Sequence, residues 1–236
     1  MKKEINKADS RGCFDYGWLK TKHSFSFANW YNPNRMGFGK LRVLNDDIVA
    51  PSQGFSTHAH NNMEIVSIPL SGELAHKDSG GHEEVIRPGE IQVMSAGMGI
   101  LHSEYNYSSK DAVNFLQIWI LPDKNGHEPR YDKRYFNQSG RKNRLQTIIT
   151  PNKAENELWL NQNAYLSLAD IDKDKLVDYS LNFDGNGVYM FILDGEIEAA
   201  GEKMNKRDGL GVWDIQDLNI KATLNSRILL IEVPMS

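Results

Sequence analysis

Apolar residues along this chain come in short runs. "KLRVLNDDIVAP", "EIVSIPLSGELAHKDS", "EIQVMSAG" and "AVNFLQIWIL" mix β-branched and aromatic side chains and stop at Gly, Pro, Asp or Ser. Runs of this length and composition predict strands, because branched and ring side chains pack well on a pleated, half-buried surface. Gly72, Gly80-Gly81, Pro88-Gly89, Gly97 and Gly99 supply turns between them, a cadence that suits a sandwich or barrel. The polar stretch from about 122 to 143, which holds "PRYDKRYFNQSGRKNR", reads as a solvated connection. After it the cadence resumes with "RLQTIIT", "LWLNQNAYLSLADI", "LVDYSLNF", "DGLGVWDI", "LNIKATL" and "RILLIEVP". The segment "YMFILDGEIEAAGEKMNKRDGLGVWD" parallels "EIVSIPLSGELAHKDSGGHEEVIRPGEIQVMS": strand, Gly turn, strand, gap, Gly-containing turn, strand. That weak internal repeat predicts an all-β chain of two similar domains, 1–132 and 133–236.

Composition narrows the setting. The chain has 236 residues, 40% of them apolar and 25% charged, enough to bury a sizeable core. Its nineteen glycines favour frequent turns over long helices. No apolar segment approaches the roughly 20 residues that span a bilayer, and the polar N-terminus "MKKEINKADSRGCFDYGW" is unlike a secretory signal. A single cysteine, Cys13, precludes an internal disulfide and fits the cytoplasm. The formal charge of −4 argues against direct nucleic-acid binding, which needs a basic surface.

Candidate chemistry gathers in the first half. Of seven histidines, five lie between Gly54 and Asn106, and none follows His127. His58 and His60 form an H-x-H pair; His102 and Glu104 form H-x-E. Residues i and i+2 of a strand share a face, so two strands brought together could direct three imidazoles and one carboxylate at a common centre. Neutral imidazole and carboxylate suit a divalent transition metal. One carboxylate against a dication leaves a charge of about +1, able to hold an anionic oxygen. His23, His76, His82 and His127 are read as satisfied or surface histidines, with His76 and His82 in charged, turn-rich surroundings that suit solvent. Phe55, Met63 and Met98 either line an apolar slot or belong to the core.

The order H-x-H, Glu64, Gly72, and then Gly89, Ser95, Gly97, His102 and Asn106 resembles the two cupin motifs, with Ser in place of Pro and two extra residues before the second His. "ADSRG", "GWLKTKHSFSFANWYNPNRMGFGKLRVLNDDIVAP", "HAHNNMEIVSIPLSGELAHKDS" and "MSAGMGILHSEYN" are similar to the pirin family almost phrase for phrase, over residues 8 to 122. Ala59 stands where many pirin-like sequences carry Pro. The resemblance implies a bicupin of two β-barrels, with one metal in the N-terminal barrel and a metal-free second barrel. It places the ligands on His58, His60, His102 and Glu104, with Fe(II) the usual ion and Cu, Ni, Mn or Zn found in related cupins. It further implies cleavage of a flavonol such as quercetin by dioxygen, releasing carbon monoxide, with Glu104 as the carboxylate available to act as base. Two other readings stay open: a metal-dependent regulator working through a protein partner, and an oxygenase for an unrelated planar phenolic or enolic metabolite.

Overall fold

The strand Val113–Ile120 hydrogen-bonds to Leu41–Val49 on one side and to Glu64–Ser71 on the other. Its Leu116, Ile118 and Ile120 face a core shared with the second half of the chain. Gln117 and Trp119 face the opposite way, into a cavity. A strand covered on both faces reads as a nearly continuous apolar run, as "VNFLQIWI" does.

The structure, a computed structural model, describes residues 1–151 and 157–236. The described residues are strands joined by turns, with two short 3-10 turns at Ala8–Ser10 and Gln138–Arg141. No helix is long and apolar enough to cross a membrane. The first half pairs a seven-stranded sheet with a four-stranded one. The larger runs, in spatial order, Arg130–Tyr135, Glu90–Ser95, Glu64–Ser71, Val113–Ile120, Leu41–Val49, Leu19–His23, Gly12–Asp15. The smaller runs Gly54–His60, Ile100–Asn106, Leu74–Asp78, Glu83–Ile86. The second half repeats this seven-plus-four arrangement. Asn186–Asp194, Glu196–Ala199, Glu202–Asn205 and Gly209–Trp213 stand where Glu64–Ser71, Leu74–Asp78, Glu83–Ile86 and Glu90–Ser95 stand in the first. The all-β architecture with an internal repeat is therefore observed.

Three features go beyond the sequence reading. Lys2–Asn6 crosses over to pair with Gly209–Trp213, so the chain begins in the sheet of the second half. The 132/133 division falls within the strand Arg130–Tyr135, which pairs with Glu90–Ser95 as the edge of the first large sheet. That strand lies in the stretch expected to be a solvated connection. Alternation of charged and aromatic residues in "RYDKRY" suits an edge strand, where Lys133 reaches Glu84 and Glu90.

The two halves pack back to back. Val66, Leu116 and Ile118 of one large sheet meet Phe191, Leu229 and Ile231 of the other in the largest core. The interiors differ. Between the sheets of the second half, Val177, Met190, Ile197, Met204, Leu210 and Ile220 are packed solid. Between the sheets of the first lies a cavity of about 420 Å³.

Candidate metal centre

Strand pairing assembles the histidines. Ile100–Asn106 lies antiparallel to Gly54–His60, with His102 directly opposite His58 and Ile100 opposite His60. Burial along Ile100–Asn106 alternates strictly, so His102, Glu104 and Asn106 point inward while Leu101 and Tyr105 point out. The rings of His58, His60 and His102 have centroids 4.4 to 4.9 Å apart. Each offers a nitrogen within 4.8 Å of the others.

Glu104 lies close by but in a different grouping. Its carboxylate falls within 4.8 Å of nitrogens from His102 and His76, a set that does not include His58 or His60. The register shifts between His102 and Glu104, bringing Glu104 opposite Phe55. The large sheet holds the carboxylate: Ser67 Oγ and Gln92 Nε2 each donate to Oε1 at 2.9 Å, and Gln117 Nε2 donates to Oε2 at 2.6 Å. An ionised carboxylate has about four lone-pair directions. Three are filled, which leaves about one for a proton or a cation.

The imidazoles are kept neutral. Burial, and then the neighbouring rings of His102 and His58, lower His60 to about 4 against a smaller upward pull from Glu104. Burial, His58 and His76 lower His102 to about 3, opposed by Asp78. His58 Nδ1 lies 2.7 Å from the Ser56 carbonyl oxygen, to which it donates as the Nδ1–H tautomer, leaving the Nε2 lone pair free. His102 is 2% exposed, and neither of its ring nitrogens has a hydrogen-bond partner. A buried imidazole nitrogen without a partner is costly. A cation accepted by that nitrogen removes the penalty, so the residues present fit a divalent transition metal.

His76 differs from expectation. Rather than facing solvent it is 1% exposed, bonded through Nε2 to Asp78 at 3.0 Å and stacked on Tyr131 at 4.6 Å. Tyr131 comes from the edge strand Arg130–Tyr135 and also stacks on His82, whose side chain is partly exposed as expected. Glu64 lies away from the imidazoles, bonded to Ser95 and to Asn161 of the second half. Met63 packs in a small core cluster with Ile65 and Met94. Met98 lies on the surface, and Phe55 lines the cavity.

The cavity has three kinds of wall. Trp18, Phe27, Phe55 and Trp119 are aromatic, with Trp18 against Phe55 and Phe27 against Trp119, each pair edge-on at 5.3 Å. The imidazoles and Glu104 form a second wall. Asn45, Asp47 and Gln117 form a polar third. Burial pushes Asp47 up to about 7, against a smaller opposing pull from Thr21 and with added repulsion from Asp46 and Glu104. None of the three polar residues was singled out in the sequence. The available signal was a pair of polar residues at i and i+2, "N-D-D", and a lone Gln, each inside an apolar run.

Residues 5–120 match the Pirin family, and residues 147–233 match the family described as the quercetinase C-terminal cupin domain. The quercetin 2,3-dioxygenase of Escherichia coli K12 is 40% identical over 230 residues, covering 98% of each chain. A pirin-like protein of Caulobacter vibrioides is 36% identical over 225 residues, 95% of this chain and 96% of that one. The crystal structure of YhhW from Escherichia coli superposes with a TM-score of 0.95 at 39% identity, covering 100% of this chain and 99% of the other. The nickel(II) complex of the same bacterial pirin gives 0.94 at 39% identity, covering 100% of both chains. With relatives matching from end to end, and with two cupin halves of which only the first gathers histidines, the chain belongs to the pirin family of bicupins.

Proposed function

We propose that this protein is a metal-dependent dioxygenase of the flavonol 2,3-cleaving type, with Fe(II) held by His58, His60, His102 and Glu104. The observation that carries this reading is the clustering of three neutral imidazoles in a cavity of about 420 Å³ whose facing wall is aromatic. The name of the Escherichia coli relative and the nickel(II) complex of its pirin support it. When bound, the divalent ion would supply a Lewis acid that favours the ionised 3-hydroxyl of the substrate, and a redox partner for dioxygen.

The chain's own residues do the rest. The Ser56 carbonyl fixes the tautomer and tilt of His58. Ser67, Gln92 and Gln117 hold Glu104 so that its one remaining lone-pair direction is available to the 3-hydroxyl proton or to the cation, one at a time. Trp18, Phe27 and Phe55 suit a flat ring and keep water from its reacting face.

The test is turnover. Protein loaded with Fe(II) should bleach quercetin absorbance in air and release carbon monoxide, and it should do neither without oxygen or as His58→Ala. Absence of turnover with Fe(II), Cu(II), Ni(II) and Mn(II), in protein that retains each ion tightly, would overturn the reading and leave a metal-binding protein without this activity.

A further inference from the structure

The strand Leu41–Val49 turns Asn45 and Asp47 toward the same cavity. Both are almost fully buried, at 2% and 4% exposure. The Oδ1 atom of each lacks a hydrogen-bond partner. Native structures seldom keep such atoms, because an unpaired buried acceptor costs about 1–3 kcal/mol.

Neighbouring donors are engaged elsewhere. Gln117, the register partner of Asn45, gives its amide to Glu104. Phe115, the partner of Asp47, has no side-chain donor. Asn114 bonds the backbone carbonyl of Asp47 and the side chain of Asp46, leaving the Asp47 carboxyl unaddressed. Two acceptors in need of donors thus stand on one wall of a cavity whose other walls are aromatic rings and metal-type ligands.

We infer that Asn45 and Asp47 read ring hydroxyls of the substrate, and that the substrate class is polyhydroxylated aromatics. One substrate oxygen faces the imidazoles, and at least one further O–H donates to the Leu41–Val49 strand. This rests on the reading of the cavity as a site for a phenolic ligand, and it adds which phenolics are accepted. A site built to bond a hydroxyl rejects the analogue lacking it, since its own polar groups are then left unpaired. Asn45 and Asp47 are in this sense specificity determinants.

The experiment is equilibrium binding to Fe(II)-loaded protein without oxygen, read by quenching of tryptophan fluorescence. Two ligand pairs are compared: quercetin against 3-hydroxyflavone, which lacks the additional hydroxyls, and resorcinol against phenol, which lack the flavonol skeleton. Wild type should prefer the more hydroxylated member by about 10-fold or more. Asn45→Ala and Asp47→Ala should shrink that preference to about 2-fold or less, with metal content and 3-hydroxyflavone affinity held, whereas Asp47→Asn, which retains an acceptor, should keep most of it. Equal affinities within both pairs in wild type, or a preference that survives in both alanine variants, would overturn the inference. Binding of neither flavonol, together with a resorcinol preference lost in the variants, would sustain it while removing the flavonol reading.

Discussion

Glu104 illustrates how one residue's role depends on the groups that hold it. Ser67, Gln92 and Gln117 occupy three directions of its carboxylate, and hydrogen bonds to a charged group are worth about 1.5–3 kcal/mol. Gln117→Leu should therefore weaken metal binding by about 10- to 100-fold, the usual effect of losing an outer-shell partner. A chelator-competition titration reads this directly, and unchanged affinity would exclude Gln117 from supporting the site. His23 offers a second prediction, on pH. It sits between Phe14 and Phe27, and burial, then the nearby Arg11, lower it to about 4. Its folded pKa lies below the unfolded value of about 6.5, so between those values the unfolded chain binds the extra proton and stability falls as pH falls. Denaturant titrations of wild type and His23→Gln should show wild type losing ground to the variant as pH drops from about 6.5 to 4; parallel curves would refute this. At this scale the sequence displayed His58, His60, His102 and Glu104, because the two-residue parity of a strand is visible in one dimension. It hid Asn45, Asp47 and Gln117, whose meaning depends on which face of a doubly buried strand borders the cavity. His76 was hidden for a related reason: Tyr131, which covers it, comes from a strand far along the chain.

At the scale of elements, the site is a matter of register. His102 meets His58 only because Ile100–Asn106 pairs with Gly54–His60 in the observed alignment; a slip by one residue would turn either set outward. Gly54 anchors one end of that pairing. A Cβ there would meet the Glu104 and Tyr105 backbone, at 2.5 Å from the Tyr105 Cα. Gly54→Ala should accordingly cost about 1–3 kcal/mol in stability and, by prising the two strands apart, weaken metal binding as well. Urea unfolding and metal titration on the same sample test both; a stability loss with unaltered metal affinity would show that the strands move together. Strand positions in both halves were largely visible from runs and turns. Arg130–Tyr135 was not, since an edge strand need bury little and its charges resemble those of a loop.

For the whole molecule, the decisive surface is the one between the halves. Leu116, Ile118 and Val66 on one sheet and Phe191, Leu229 and Ile231 on the other share a core, the Arg130 guanidinium lies 3.9 Å from the centroid of the Trp159 ring, and Lys2–Asn6 completes the sheet of the opposite half. Heating should therefore unfold the protein in one transition, and a fragment ending at residue 136 should aggregate, since it exposes that apolar face. Two resolved calorimetric peaks, or a soluble, cooperatively folding fragment, would contradict this. Divalent metal at 100 times its dissociation constant should add about 2.7 kcal/mol to the same transition, reversed by chelator.

By itself the sequence determined the strand-rich class, the doubling of the fold and the residue types of the metal centre, because alternation, turn residues and a two-residue ligand spacing are local properties of a chain. Only the tertiary structure decided that the first interior is hollow and the second filled, that Glu104 is held by three neutral donors, and that the chain's first strand belongs to its last sheet. These depend on contacts between residues far apart in sequence, and packing in three dimensions selects them without leaving a periodic mark on the chain.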